Sequence, residues 1–155
     1  MLHIVFATAL LALQTAPANV PYYVKPVCAG KAGSGFGYRL DPFTGRRAFH
    51  AGLDFEVEPG HPVVASASGR VVWAERRGPY GLAVEIDHGG TNKTRYGHLS
   101  ALVVASGQSI GQGETLGWSG ATGRAAIPGL HFEVWRNEVV LDPRKHLRRN
   151  PRCAR

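Results

Sequence analysis

The sequence is poor in several features that define common classes of protein. Only two of its 155 residues are cysteines, Cys28 and Cys153, which excludes a closed structural metal site built on four cysteines. No apolar run reaches the roughly 20 residues of a membrane-spanning helix. The spacing of apolar residues indicates no long amphipathic helix. With 20 glycines and few charged residues, the composition favours a turn-rich β protein over a helical bundle.

Alternation of apolar and polar residues is the main structural signal from residue 53 onward. Leu53 and Phe55, for example, alternate with Asp54 and Glu56, which predicts strands with one buried face. Six glycines within residues 107–123 indicate tight hairpins or bulged turns. Residues 19–48 show little periodicity and are predicted to be loop, and residues 99–105 are predicted to form a helical turn. We expect an all-β, mainly antiparallel fold in a single domain.

The N-terminal residues have the pattern of a secretory signal peptide. Residues 2–13 form a short apolar run, followed by Ala16-Pro17-Ala18 as a cleavage site, so residues 1–18 are predicted to be removed on export. No lysine or arginine precedes the run, and a buried N-terminal helix or a wrongly set start codon are the alternatives. Export would place the protein in the periplasm, the cell wall or the extracellular medium, with no membrane span. Residues 19–33 are predicted to be an N-terminal extension.

The two cysteines and the basic residues lie near the ends of the chain. In an exported protein Cys28 and Cys153 can pair, or they can remain as two thiols in flexible ends. Residues 144–155 carry six of the 18 basic residues and no acid, and the last part, residues 148–155, is predicted to be a basic tail. Such a tail can bind an anionic polymer of the cell envelope, or it can simply be solvated. Export and the absence of a recognised motif count against nucleic acid as the partner.

Three residues have the chemistry of an open metal site. His50, Asp54 and His131 would supply two imidazoles and one carboxylate, which leaves the fourth position of tetrahedral zinc free. In an extended strand, the Cα atoms of His50 and Asp54 would lie about 13 Å apart. The chain must therefore bend between them, and Gly52 is the residue that best permits a bend. Taken alone, His-x-x-x-Asp is a weak signal.

The order of segments along the chain makes the signal specific. Between residues 34 and 147 these segments follow one another: Ser34-Gly35-Phe36-Gly37-Tyr38-Arg39, Asp41-Pro42-Phe43-Thr44-Gly45, His50-Ala51-Gly52-Leu53-Asp54, Pro59-Gly60-His61-Pro62-Val63-Val64-Ala65, Ile86-Asp87-His88-Gly89, Thr94-Arg95-Tyr96-Gly97-His98-Leu99, Gly120-Ala121-Thr122-Gly123 and Leu130-His131-Phe132-Glu133-Val134. In these segments and their order the sequence resembles the lysostaphin-type (LytM-like) zinc metallopeptidases, which cut peptide cross-links in bacterial peptidoglycan.

The resemblance implies a β-sheet groove domain with hairpin-rich glycine turns. By it, His50, Asp54 and His131 would hold Zn²⁺, and His98 would be a catalytic histidine acting on peptide stems or cross-bridges of peptidoglycan. The remaining candidates have weaker support. Glu133 is expected either to orient His131 or to be a solvated strand carboxylate, and Tyr96 to line the groove or lie in the core. His88 is expected to have a structural role, His61 to lie in a turn and His146 to be solvated.

One position departs from the family pattern. The last motif of the family is His-x-His, and Gly129 stands where its first histidine, a second catalytic partner, would be. Positions 129 and 131 of a strand face the same way, so Gly129 is expected to leave a hole beside the metal, and Gly129→His to raise hydrolysis. Two functions follow: an exported zinc endopeptidase, or a zinc-binding, catalytically impaired protein that binds peptidoglycan or regulates another wall hydrolase.

Overall fold

A computed structural model of the protein describes residues 21–153. The signal peptide predicted for residues 1–18 lies outside the described residues. Within the described range the strands are accompanied by three short 3₁₀ helices, Gly78–Tyr80, Pro143–Lys145 and Pro151–Cys153. The strands are β1 (Tyr23–Val24), β2 (Lys31–Ala32), β3 (Gly37–Leu40), β4 (Arg47–His50), β5 (Leu53–Glu56), β6 (Pro62–Val64), β7 (Gly69–Arg76), β8 (Leu82–Gly89), β9 (Asn92–Leu99), β10 (Ala101–Leu102), β11 (Ser109–Ile110), β12 (Thr115–Trp118), β13 (Gly129–Arg136), β14 (Val139–Leu141) and β15 (Leu147–Arg148).

An antiparallel sheet forms the centre of the described chain. Its strands follow the order β11-β7-β8-β9-β13-β5-β2, and β14 also pairs with β13. A smaller sheet, β10-β12-β6, lies beside it, and β3 pairs with β4 as a separate hairpin. The predicted all-β, mainly antiparallel fold is confirmed.

The core is built from the inward-facing apolar residues of the central strands. Phe132 and Leu130 of β13 pack with Tyr96, Ile86 and Phe55, all of them buried. Tyr96 is therefore a core residue and does not line the groove, and its hydroxyl accepts a hydrogen bond from the Ser66 amide at 2.8 Å.

The N-terminal part of the described chain contributes to the same core. Tyr23, Val24 and Val27, which lie in the predicted N-terminal extension, are buried. β1 pairs in parallel with β15 near the C-terminal end. These contacts bring the two ends of the described chain together.

Two local predictions are wrong. Residues 19–48 were expected to be loop, yet they contain β1, β2, β3 and the start of β4. The β3–β4 hairpin was missed because its apolar side chains face outward, with Tyr38 and Leu40 69% and 70% exposed. Residues 99–105 form no helical turn. Ala101 and Leu102 instead pair with β12, and the Val103 amide donates to the Leu116 carbonyl at 3.0 Å.

The prediction of a single buried face per strand is wrong for the centre of the sheet. In β8 and β13 consecutive residues are buried, and these include the acidic residues Glu85 and Glu133. A central strand that has neighbours on both sides and is covered on both faces has no face exposed to solvent. In β13 the buried residues include His131 and Glu133 as well as the apolar residues of the core.

Cys28 and Cys153 form a disulfide. Of the two alternatives left open by the sequence, pairing is the one found. The bridge spans 125 residues of sequence, so it restricts almost the whole described chain in the unfolded state. None of the helices within residues 21–153 has the length and hydrophobicity required to cross a bilayer.

We expect reduction of this disulfide to lower the free energy of unfolding by about 4–5 kcal/mol, because closing a loop of this length removes chain entropy from the unfolded state. Urea unfolding monitored by tryptophan fluorescence, with and without a reducing agent, measures the change. The double variant Cys28→Ser, Cys153→Ser is the control and should unfold at the reduced protein's midpoint under both conditions. Equal midpoints for the oxidised and reduced wild type would contradict the prediction.

Candidate metal centre

Three side chains from separate strands meet where β4, β5 and β13 come together. β4 ends at His50, the chain bends at Ala51 and Gly52, and β5 begins at Leu53. The predicted bend is therefore present, and it returns Asp54 to His50. β13 runs antiparallel to β5 with His131 directly opposite Asp54.

The bend requires glycine at position 52, because no larger residue fits there against β13. A Cβ at Gly52 would lie 2.5 Å from the Phe132 carbonyl oxygen and 2.8 Å from Cε1 of His131. These distances are far below van der Waals contact. The glycine is thus required by close approach to the His131 ring, and its φ angle is not in the left-handed region.

The atoms that face one another form a small triangle. His50 Nε2 lies 3.2 Å from Asp54 Oδ1 and 3.2 Å from His131 Nδ1, and His131 Nδ1 lies 2.8 Å from Asp54 Oδ1. Ligands held 2.0–2.1 Å from a tetrahedral zinc stand about 3.3 Å apart. The triangle is close to the size that such an ion requires, and its donor set of two imidazoles and one carboxylate suits zinc.

The outer nitrogen of each histidine is held by a hydrogen bond. His50 Nδ1 lies 2.7 Å from the Gly35 carbonyl oxygen, which can only accept, so Nδ1 carries the proton and the lone pair of Nε2 faces the triangle. His131 Nε2 donates to Glu133 Oε1 at 2.9 Å, which leaves Nδ1 for the triangle. Partners of this kind fix the tautomer and orientation of metal-binding histidines.

Glu133 is the most buried acid in this network. Its side chain is 1% exposed, and it accepts hydrogen bonds from the Tyr80 hydroxyl at 2.9 Å and from Trp135 Nε1 at 2.6 Å. Arg95 lies 3.6 Å from Glu133 and forms a closer ion pair with Glu85, at 2.6 Å. Of the two roles left open for Glu133, the structure therefore favours orientation of His131 over a solvated carboxylate.

The charges at the centre are strongly coupled. Burial lowers the pKa of His131, but hydrogen bonds to Asp54 and Glu133 outweigh burial and raise it to about 9. Burial raises the pKa of Asp54, but hydrogen bonds from His131 and His50 hold the pKa of its carboxyl well below the usual range. In the metal-free protein His131 is thus an imidazolium between two carboxylates. Binding of a cation in the triangle requires loss of the Nδ1 proton.

His98 lies at the end of β9 beside this centre. Its ring centroid is 5.8 Å from that of His131, and its Nδ1 donates to the Thr122 carbonyl at 2.8 Å. Burial and the nearby charge of His131 lower the pKa of His98, so its neutral form prevails at pH 7. In that form the lone pair is on Nε2. His98 also has a φ of 64°, an uncommon conformation for a residue with a side chain.

The prediction that Gly129 leaves room for an imidazole is wrong. Gly129 is the first residue of β13 and pairs with Glu56 of β5. A Cβ at this position would lie 2.3 Å from the Phe55 carbonyl oxygen, which belongs to the backbone and cannot move independently. The close approach of β5 occupies the space. Gly129→His would have to displace β5, so we no longer expect this substitution to raise hydrolysis.

Three other histidines of the described chain, His61, His88 and His146, lie outside the triangle. His88 is held between the Ser68 carbonyl and the Thr94 hydroxyl, both at 2.8 Å, which agrees with a structural role. His61 immediately precedes β6, and the Ser119 hydroxyl binds its amide at 3.0 Å. His146 follows the second 3₁₀ helix and is half-buried.

The triangle opens into a groove of about 430 Å³. Two residues that line it were not singled out from the sequence, Tyr80 and Arg39. Arg39 could have been found from the hairpin register, because Arg39 pairs with Ala48, two residues before His50, and therefore lies on the same face as His50. Tyr80 lies in a 3₁₀ helix, and no periodic pattern marks it.

The sequence model of one protein family matches residues 48–143; the family is described as Peptidase family M23. A Neisseria meningitidis protein named DD-carboxypeptidase/endopeptidase Mpg is 38% identical over 122 residues, which are 79% of this chain and 28% of that protein. The Vibrio cholerae peptidoglycan DD-endopeptidase ShyA is 47% identical over 97 residues, 62% of this chain and 22% of that protein. This chain spans about a quarter of the length of these curated relatives.

Solved structures with the same fold include two peptidases. A zinc-containing peptidase from Vibrio cholerae superposes with a TM-score of 0.73 at 35% identity, covering 79% of this chain and 39% of that chain. The catalytic domain of lysostaphin from Staphylococcus simulans superposes with a TM-score of 0.67 at 33% identity, covering 75% of this chain and 90% of that domain. The lysostaphin-like fold expected from the sequence is confirmed.

We expect the stability of the metal-free protein to fall as the pH rises from 6.5 to 9. Because the pKa of His131 is raised in the folded state, the contribution of its protonation to stability is fully present below pH 6.5 and is lost as the pH passes 9. The loss should be on the order of 3 kcal/mol. Urea unfolding in a chelator across this range measures it, with His131→Asn as the reference. Parallel pH profiles for the wild type and His131→Asn would contradict the assignment.

We also expect Glu133→Gln to weaken the binding of added Zn²⁺ by 10–100-fold, because removing a carboxylate that orients a liganding imidazole has effects of this size. Competition with a chromophoric chelator measures the affinity. Glu138→Gln is the matched control, since Glu138 is exposed and pairs with Lys93 away from the triangle. Equal Zn²⁺ affinity for the Glu133 variant and the control would show that Glu133 does not support the site.

Proposed function

Because the chain belongs to peptidase family M23, we propose that it is a zinc-dependent endopeptidase that hydrolyses peptide cross-links of peptidoglycan. The observation that carries the proposal is the triangle of His50 Nε2, Asp54 Oδ1 and His131 Nδ1, with His98 beside it in an open groove. His50, Asp54 and His131 are the proposed zinc ligands, and His98 is the proposed catalytic histidine. Zinc bound there would supply Lewis-acid activation of water and of the scissile carbonyl.

The role of His98 follows from its tautomer. Since Nδ1 donates to the Thr122 carbonyl, Nε2 is free to accept a proton from the attacking water and to return it to the leaving amine. In the metal-free protein burial lowers the pKa of His98, which favours the unprotonated Nε2 that a base requires. Glu133 and the Gly35 carbonyl hold the two liganding imidazoles in place.

The substrate class and the compartment are supported by different observations. Relatives that are named peptidoglycan DD-endopeptidases suggest peptide bonds of peptidoglycan as the target. The Cys28–Cys153 disulfide is typical of an oxidising compartment and favours export to the periplasm or the cell wall. The basic residues near the C-terminal end would suit an anionic envelope polymer.

Gly129 favours a second candidate function, that of a zinc-binding protein with impaired catalysis that binds peptidoglycan or regulates another wall hydrolase. Loss of one donor to the transition state commonly lowers the rate 10²–10³-fold. Because β5 fills the space beside Gly129, no side chain at that position can replace the donor. His98 would then act without a second histidine.

Incubation of the purified, zinc-loaded protein with peptidoglycan sacculi tests the proposal. We expect new amino termini among the released muropeptides, their loss on treatment with EDTA and in Asp54→Ala, and a fall of about 10²–10⁴ in rate in His98→Ala. The His88→Ala variant is a control for loss of a histidine away from the groove. If the protein binds zinc stoichiometrically but releases no new amino termini, the second candidate function replaces the first.

A further inference from the structure

The groove beside the metal centre contains two arginines with different surroundings. Nη2 of Arg124 donates to both carboxylate oxygens of Asp41, at 2.8 and 2.9 Å, and its guanidinium lies over the Phe43 ring. Arg124 therefore has a full carboxylate partner. This ion pair joins the turn of the β3–β4 hairpin to the loop before β13.

Arg39 faces the metal centre but has no such partner. In the hairpin register Gly37 pairs with His50 and Arg39 with Ala48, so Arg39 and His50 lie on the same face. The nearest acids and carbonyls are distant for a guanidinium: Nη2 is 3.8 Å from Asp54 Oδ2, and Nη1 is 3.4 Å from the Leu40 carbonyl oxygen. Among residues 21–153 no acceptor binds its buried Nε.

The other charged side chains that line the groove in the described chain are already paired. Asp41, Asp54, Glu56 and Glu133 each have a basic partner at 3.1 Å or closer. Asp54 Oδ1 is directed at the two histidines, so the Asp54 charge is shared with them and would be shared with zinc. Among the described residues, the Arg39 guanidinium is the cation of the groove that has no carboxylate oxygen closer than 3.8 Å.

We propose that Arg39 forms a carboxylate subsite, which binds a free carboxylate of the peptide substrate next to the metal centre. A guanidinium presents a planar pair of N–H groups that matches a carboxylate in a bidentate geometry, and such charge-assisted bonds are about twice as strong as neutral ones. Ala48 and Ile127, which line the same groove, have apolar side chains and offer no competing donor. Identification of the ligand as part of a peptide rests on the proposed function.

The subsite is tested by binding, with N-acetyl-D-alanine and its carboxamide as probes. Chemical-shift titration of the zinc-loaded protein gives a dissociation constant for each. We expect the wild type to prefer the carboxylate by about tenfold. Arg39→Gln should reduce that preference to about one, and Arg39→Lys, which retains the charge but loses the planar fork, should give an intermediate value.

Arg47→Gln is the matched control, because Arg47 lies on the outer face of the same hairpin over the Tyr38 ring. It should keep the wild-type preference. If both Arg39 variants kept the preference for the carboxylate, the carboxylate would bind at another place, such as the zinc ion, and the proposal would be overturned. The absence of any preference in the wild type would also overturn it. Neither probe contains a bond between two amino acids, so the outcome is independent of whether the protein hydrolyses peptidoglycan.

Discussion

The register between β5 and β13 is the constraint on which the rest of the site depends. Cross-strand pairing sets Asp54 opposite His131, and the same ladder sets Leu53 opposite Phe132 and Phe55 opposite Leu130 in the core. A slip by one residue would exchange the two faces of a strand, so the residues proposed to bind the metal cannot move without exposing the core residues. The geometry of the centre is thus fixed by apolar packing on the opposite side of the same strands.

The second requirement is compensation of buried charge. An imidazolium and two carboxylates lie together at His131, Asp54 and Glu133, and burying them separately would be strongly unfavourable. Arg95 extends the alternation of charge from Glu133 to Glu85, while Trp135 and Tyr80 donate to the remaining lone pairs of Glu133. In this arrangement a metal cation bound in the triangle would take the place of the His131 Nδ1 proton.

Much of the site could be predicted from the sequence, because the order of its segments resembles that of a known peptidase family, whereas the spacing of His50 and Asp54 alone is a weak signal. The alternation around Asp54 and around His131 places each on a defined face, and Gly52 marks the bend. The β3–β4 hairpin could not be predicted in the same way, since Tyr38 and Leu40 are apolar but point to solvent. The surroundings of Gly129 depend on how near the Phe55 carbonyl lies across the sheet. No pattern within a single strand reports that distance, and for the same reason the burial of Glu133 was not evident.

The disulfide between Cys28 and Cys153 also determines how the protein would respond to mechanical tension. A pulling force applied to chain segments before Cys28 and after Cys153 passes through the covalent bridge and bypasses the strands between them. Within residues 21–153, β1 is the one strand that precedes Cys28, so its pairing with β15 is not protected by the bridge and can be pulled apart. The groove and the metal centre would therefore keep their geometry under a load that would unravel the reduced chain.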